Sequence, residues 1–285
     1  MKPPRFDYSR PSTLARAVEL LAASDGEGKL LAGGQSLVPV LNMRLAQPSV
    51  LVDLGLVEEL RGLRREGDVL SIGAGVRQCD AEKSPLVRDC CPLVPQALRH
   101  VGHVQIRNRG TIGGSIAHAD PTAELPAVAL ALDAELVATS VRGTRTIAAR
   151  DFFRGPYTTT LEEDEVLTQV RLPIFADART AFHEVARRSG DFALAALAAV
   201  VRFAPGSQTI VEARLAAVGT GGTPVRLDQA ETGLEGRELT PETVDAAAAD
   251  ARAQLDATAD QTVEREFRRD LVGTLVSRAL TEVRP

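Results

Sequence analysis

The sequence predicts an α+β protein of two packed domains, and three observations carry that prediction. At 285 residues the chain is long for one hydrophobic core and comfortable for two. Short apolar or alternating runs of strand length are interspersed with segments of helical spacing, without the strict β-α-β alternation of a parallel doubly wound sheet. Pro173 and the polar Asp177-Ala178-Arg179 punctuate the chain, and beyond them strands precede helices. The expected division is 1–175 and 176–285.

In chain order, Ser12 is read as an N-cap, followed by Leu14, Ala17, Val18 and Leu21 at helical spacing. Asp25-Gly26-Glu27-Gly28 ends that helix. Leu30-Leu31-Ala32 reads as a buried strand that breaks at Gly33-Gly34, and Ser36–Leu41 as a helical turn. Val50–Leu54 and Val69–Gly73 read as strands. The segment from Leu86 to His103 reads as helical, with Pro92 and Pro95 near its start, and Val104–Ser115 as a glycine-rich loop. A helix is expected over Glu124–Leu132, and strands over Glu135–Thr139 and Arg145–Ile147, joined at Arg142-Gly143. Glu165–Leu172 is an alternating strand closed by Pro173. In the second part, strands are expected over Ala195–Phe203 and Glu212–Val218, then helices over Val244–Leu255 and Phe267–Val283.

Composition excludes several function classes. Hydrophobic content is 44% and charged content 25%, as in an ordinary soluble protein. No apolar run is long enough to span a bilayer, and Lys2-Pro3-Pro4-Arg5-Phe6-Asp7 lacks the apolar core of a signal peptide, so a cytoplasmic location is expected. The net charge of −5, with acid and base mixed, offers no basic stripe for nucleic acid. Cys79, Cys90 and Cys91 form no Cys-x-x-Cys pair and are too few for an iron–sulfur cluster. His100 and His103 share a helical spacing but lack a third ligand nearby, so no metal site is expected.

Two glycine-rich loops stand out: Ala32-Gly33-Gly34-Gln35-Ser36, directly after a strand, and Thr111-Ile112-Gly113-Gly114-Ser115. Paired glycines allow positive φ and close backbone approach, and successive N–H groups then form an anion-binding nest. Two such nests suit a pyrophosphate. Neither loop is a Walker A motif or a Gly-x-Gly-x-x-Gly opening a long helix. A single Gly-Gly-x-Ser is weak evidence, since glycine is the default turn residue, and Gly219-Thr220-Gly221-Gly222-Thr223 is read as such a turn. Asp120-Pro121-Thr122-Ala123-Glu124 follows the second loop. Its carboxylates suit ribose hydroxyls, and Asp120 and Pro121 equally suit a helix start.

With these residues in place, the chain resembles the FAD-binding medium subunits of molybdenum hydroxylases, the carbon monoxide dehydrogenase and xanthine dehydrogenase family. The first loop, Gln105–Ser115, Ala117-His118-Ala119-Asp120-Pro121, Arg187–Ala193 and Pro224-Val225-Arg226 carry the resemblance, which runs from Phe6-Asp7-Tyr8 to Arg268-Arg269. It implies an FAD domain of the vanillyl-alcohol oxidase/p-cresol methylhydroxylase (PCMH) type with two α/β subdomains, then a smaller α+β domain of the CO dehydrogenase flavoprotein kind. It implies partner chains carrying [2Fe–2S] clusters and molybdopterin, arranged as a dimer of heterotrimers. Electrons would pass from the clusters through FAD to an external acceptor.

By the resemblance, Leu31, Ala32, Gly33, Gly34, Gln35, Ser36 and Leu37 line the pyrophosphate. Thr111, Ile112, Gly113, Gly114 and Ser115 clamp it from the other side, with Val101 nearby. Glu124 takes the ribose-contacting acidic position, Leu167 lies against the isoalloxazine and Phe192 is the aromatic beside it, although an aromatic after Gly-Asp also suits a core. Ser115 stands where many relatives have asparagine, Gln35 where some have histidine, and Glu184 where many have a basic residue. No motif for a histidyl-flavin bond is evident, so non-covalent FAD is expected, with no catalytic acid or base required of this chain. A stand-alone flavoprotein oxidase or dehydrogenase acting on a small organic substrate is the alternative, weakened by the short second domain. A module that has lost its flavin is weakened by the intact glycines.

Overall fold

A computed structural model of the chain describes residues 2–258 and 264–285. Its first layer is a three-stranded parallel sheet with Val50–Asp53 in the middle, flanked by Asp7–Ser9 and Gly28–Leu31. The crossover helix Leu14–Ala22 buries Ala17, Val18 and Leu21, the residues whose spacing announced it. Its cap is Thr13 rather than Ser12: the Thr13 hydroxyl accepts from the Arg16 N–H at 3.3 Å.

The second layer is a five-stranded antiparallel sheet in the order Leu63–Glu66, Val69–Gly73, Val166–Pro173, Glu135–Ser140, Gly143–Ala148. Between its second and third strands in sequence the chain makes a series of short helices. The expected helix from 86 to 103 is two helices, Pro85–Cys90 and Leu93–Leu98. Cys91 breaks them because a residue before proline avoids the helical region, and it sits at φ −142°. The segment 104–115, read as a loop, instead forms the helix Val104–Arg107 and the start of the helix Ile112–His118. Glycine content misled there. Gly113 lies inside a helix because a side chain would collide with Ala74, 2.7 Å from its Cα.

The third layer is a four-stranded antiparallel sheet, Arg179–Ala186, Ala193–Phe203, Ile210–Val218 and Val225–Arg226, followed by the helices Asp228–Leu234, Pro241–Gln254 and Arg265–Glu282. Pro241 occupies a first-turn position behind a Thr240/Thr243 capping box. The strand Ala193–Phe203 is buried on both faces, which explains its unbroken apolar sequence. Ala196, Ala198 and Val200 face the core that contains the helices Leu93–Leu98 and Glu124–Ala131. Ala195, Leu197, Ala199 and Val201 face the C-terminal helices. The third layer therefore shares a core with the second. Small alanine side chains let the sheet sit close to helices on both sides.

Candidate functional site

The three layers meet around one cavity of about 850 Å³, within the range of small-molecule sites. The parallel sheet contributes its strand-end loop 32–37. The helical insertion contributes Val101, His103, Thr111, Gly113–Ser115 and His118. The last sheet contributes the hairpin Gly190, Asp191 and Phe192. The segment from Tyr157 to Glu165 closes one side, held by a bidentate pair between Arg145 and Glu165 at 2.6 and 2.7 Å.

The glycines make the two loops touch. A Cβ on Gly33 would lie 2.8 Å from the Gly110 Cα and collide with the Arg109 carbonyl; one on Gly114 would lie 2.6 Å from the Thr111 hydroxyl. Gly34 alone of the four has positive φ, +75°. The N–H groups of Gly33, Gly34, Gln35, Ser36 and Leu37 donate to no protein acceptor among the described residues, so this loop is open to an anion as the nest reading requires. The second loop is not a nest. Its amides are already used: Ile112 to Val76 O at 3.0 Å, Gly113 to Ala74 O at 2.9 Å, Gly114 to the Thr111 hydroxyl at 3.0 Å and Ser115 to Thr111 O at 3.1 Å. It offers a close, side-chain-free wall and the Ser115 hydroxyl instead.

Ala32, Gly33, Gly34, Gln35, Ser36, Leu37, Val101, Thr111, Gly113, Gly114, Ser115, Glu124, Leu167 and Phe192 all line this cavity. Leu31 and Ile112 do not. Ile112 is buried in the core with Ile72 and Ile116, and Leu31 packs behind Gly34. Leu167 is reached at a register shift between Leu167 and Gln169, a bulge of the kind that re-aims side chains beside sites. Phe192 is 77% exposed, which removes the reading of it as core.

Glu124 opens the helix Glu124–Ala131 and is 8% exposed; burial pushes its carboxyl up to about 7. Burial first and Glu124 second push Glu184 up to about 8, and the Glu184 Oε2 is buried with no hydrogen-bond partner among the described residues. Asp120 is not the helix cap. Its carboxylate makes an Asx turn, accepting from the Thr122 N–H at 2.9 Å and hydroxyl at 2.7 Å, and meets the Tyr157 hydroxyl at 3.5 Å.

Sequence reasoning missed Tyr157 and His118, whose rings lie 5.1 Å apart in the cavity wall. Both Tyr157 and Ala119 have positive φ, near +55° and +50°, tied by a Tyr157 N–H to Ala119 O bond of 2.9 Å. Burial lowers the His118 pKa from its ordinary value, and Asp120 partly opposes it. It also missed Arg107, which pairs with Glu82 at 2.8 Å and donates to Val101 O at 3.0 Å, fixing the turn that brings Val101 to the cavity. Arg107 and His118 lie in the Gln105–Ser115 and Ala117–Pro121 segments; Tyr157 lies in no segment that carries the resemblance. The Gly219–Thr223 turn lines no part of the cavity, as an ordinary turn should not.

The model of the FAD-binding domain in molybdopterin dehydrogenases matches residues 4–175. The chain belongs to that family. The model of the CO dehydrogenase flavoprotein C-terminal domain matches residues 180–283. The chain is 43% identical to the nicotine 6-hydroxylase medium subunit of Paenarthrobacter nicotinovorans, over 99% of this chain and 98% of that one. It is 39% identical to the carbon monoxide dehydrogenase medium chain of Hydrogenophaga pseudoflava, over 98% and 97%. The solved carbon monoxide dehydrogenase from that organism superposes with a TM-score of 0.96, over 99% of this chain and 98% of that one, at 39% identity. Quinoline 2-oxidoreductase from Pseudomonas putida 86 superposes at 0.95, over 99% and 98%, at 37% identity. The protein is thus an FAD-binding medium subunit of the molybdenum hydroxylase type, the flavoprotein part of an oxidoreductase. The cavity fits such a cofactor: open amides at one loop, a side-chain-free wall opposite, and an exposed aromatic on a third segment.

Proposed function

We propose that this chain is an electron-transfer subunit, which receives electrons from [2Fe–2S] clusters on a partner chain and hands them to an external acceptor. The observation that carries the reading is the open amide run from Gly33 to Leu37, facing a wall that glycines keep bare. Bound FAD supplies the redox chemistry. The chain's own residues bind and orient: the 33–37 amides hold the pyrophosphate, the Thr111–Ser115 turn clamps it sterically, Glu124 receives ribose hydroxyls, and Leu167 and Phe192 flank the ring. The FAD is proposed to be non-covalent, because no motif for a histidyl-flavin bond is evident in the sequence.

The names of two relatives, a medium subunit and a medium chain, support partner subunits; the proposal places [2Fe–2S] clusters and molybdopterin on those partners, with two copies of each chain. The family models' limits support a division at 175/176. Free cysteines, two of them buried, suit a reducing cytoplasm. The visible spectrum of the full chain, purified alone and with co-expressed partners, tests the reading. Flavin absorbance that bleaches when the complex meets its substrate is expected; a chain that stays colourless in both preparations overturns it.

A further inference from the structure

A pyrophosphate brings two negative charges, and the amides of the second loop are spent on the protein itself. The cavity wall also carries carboxylates at Asp120, Glu162 and Asp191. The open amides at 33–37 bring only partial positive charge, so a side-chain cation would complete the balance. The lysines and arginines that line the cavity are Lys29, Arg61 and Arg77. Arg61 is committed to Glu58 at 2.8 Å and to the Gly55 carbonyl. Lys29 stands exposed on the strand before the first loop.

Arg77 differs from both. Its backbone is zipped to the second loop: Arg77 bridges Thr111, with Gln78 N–H to Gly110 O at 2.9 Å and Ile112 N–H to Val76 O at 3.0 Å on either side. Its Nη1 donates to the carbonyl of Arg109, the same carbonyl against which Gly33 packs. The guanidinium is thus fixed at the seam between the two loops. Its Nε and Nη2 have no acceptor, and no carboxylate lies within ion-pair distance among the described residues. Burial, then Arg109 and Arg61, weaken its hold on its proton, and Asp53 and Asp80, neither close enough to pair with it, offset them only in part. A half-buried, fork-shaped cation with unused donors and like-charged neighbours is costly unless an anion completes it. Arginine matches a phosphate with paired hydrogen bonds.

We propose that Arg77 is a pyrophosphate-binding residue of the flavin site, supplying the charge that the occupied amides of the Thr111–Ser115 turn cannot. This rests on the FAD reading above.

The test is titration of the full-length, deflavinated chain with FAD and with riboflavin, which lacks phosphate, followed by flavin fluorescence. Arg77→Gln is expected to weaken FAD about tenfold or more while leaving riboflavin within about twofold, as loss of a charge-assisted contact should. The salt dependence of FAD binding should flatten. Arg77→Lys, which keeps the charge but not the fork, should fall between, and it serves as the reporter if Arg77→Gln does not fold. Several results would overturn the inference: FAD affinity unchanged in both variants, FAD and riboflavin weakened in parallel, or FAD lost in Lys29→Gln but not in Arg77→Gln. So would intact FAD affinity with lost assembly, which would make Arg77 a partner contact. A wild-type chain that binds no FAD would instead sink the FAD reading itself.

Discussion

Gly33 and Gly34 are neighbours with different jobs, and substitution separates them. Gly34 has φ +75°, but an added Cβ would meet only Val38 and Leu31 side chains, at 3.2 and 3.3 Å. Alanine there costs conformational strain, about 1 kcal/mol. Gly33 has ordinary φ, but its Cβ would strike backbone at Arg109 and Gly110, which cannot rotate away. Alanine there has to push the two loops apart, at about 1–3 kcal/mol as overpacking typically costs. Urea unfolding of the deflavinated chain should therefore rank Gly33→Ala below Gly34→Ala in stability, with FAD affinity falling more in Gly33→Ala. The reverse order would mean that the loops do not hold each other as described.

At the scale of elements, what the sequence disclosed follows from what each element packs against. The strand Ala193–Phe203 is rich in alanine, a helix former, yet was legible as a strand because its apolar run is unbroken; the structure buries both faces. The helix Ile112–His118 was not legible, because Gly113-Gly114 reads as a loop until the backbone of Ala74 is known to lie against it. The two loops and Phe192 were legible as family segments. The occupied amides, Arg77 and the Ala119–Tyr157 contact were not, since each depends on a pairing across the chain. The same holds for Glu184. Its carboxyl feels the charge of Glu124, and its sequence neighbours do not reveal that. Glu124 also feels Asp120, which raises its pKa, and Arg107, which lowers it. Both glutamates bind a proton more tightly folded than unfolded: Glu124 at about 7 and Glu184 at about 8, against a usual value of 4.5. The stability they add is thus fully present below their usual value and is lost as pH rises through 7 to 8. Denaturation midpoints of the deflavinated chain should fall as the pH is raised from about 5 to about 9. Glu184→Gln should flatten that fall and be the more stable protein at the alkaline end. Parallel profiles for the two proteins would rule out a buried, protonated Glu184.

For the whole molecule, the question is what keeps the last sheet seated so that Phe192 reaches the cavity. Besides the shared alanine-faced core, one buried cation joins the two domains. Arg226 donates to Leu130 O at 3.0 Å and to Asp133 at 2.8 Å in the FAD domain, and pairs through Nε with Glu231 in its own. Glu231 also accepts the Leu215 N–H at 2.6 Å. Arg214 reaches the same Asp133 at 2.5 Å, so a single surface-facing aspartate gathers two arginines of the second domain. Pro224-Val225-Arg226, read from the sequence as a family segment, is therefore a strut: Arg226 does not line the cavity. Removing it with Arg226→Ala strands Glu231 in a site where its side chain is 9% exposed. Breaking one partner of such a pair costs about 3 kcal/mol or more, whereas replacing both by apolar groups is often near neutral. Thermal unfolding should show a large loss for Arg226→Ala and a substantial recovery for Arg226→Met/Glu231→Leu. FAD retention, measured in parallel, should drop in the single variant, because the hairpin bearing Phe192 moves with the sheet that Arg226 holds. A single variant that loses less than about 1 kcal/mol, or a double variant no better than the single, would show that the shared core alone seats the domain and that the strut is incidental.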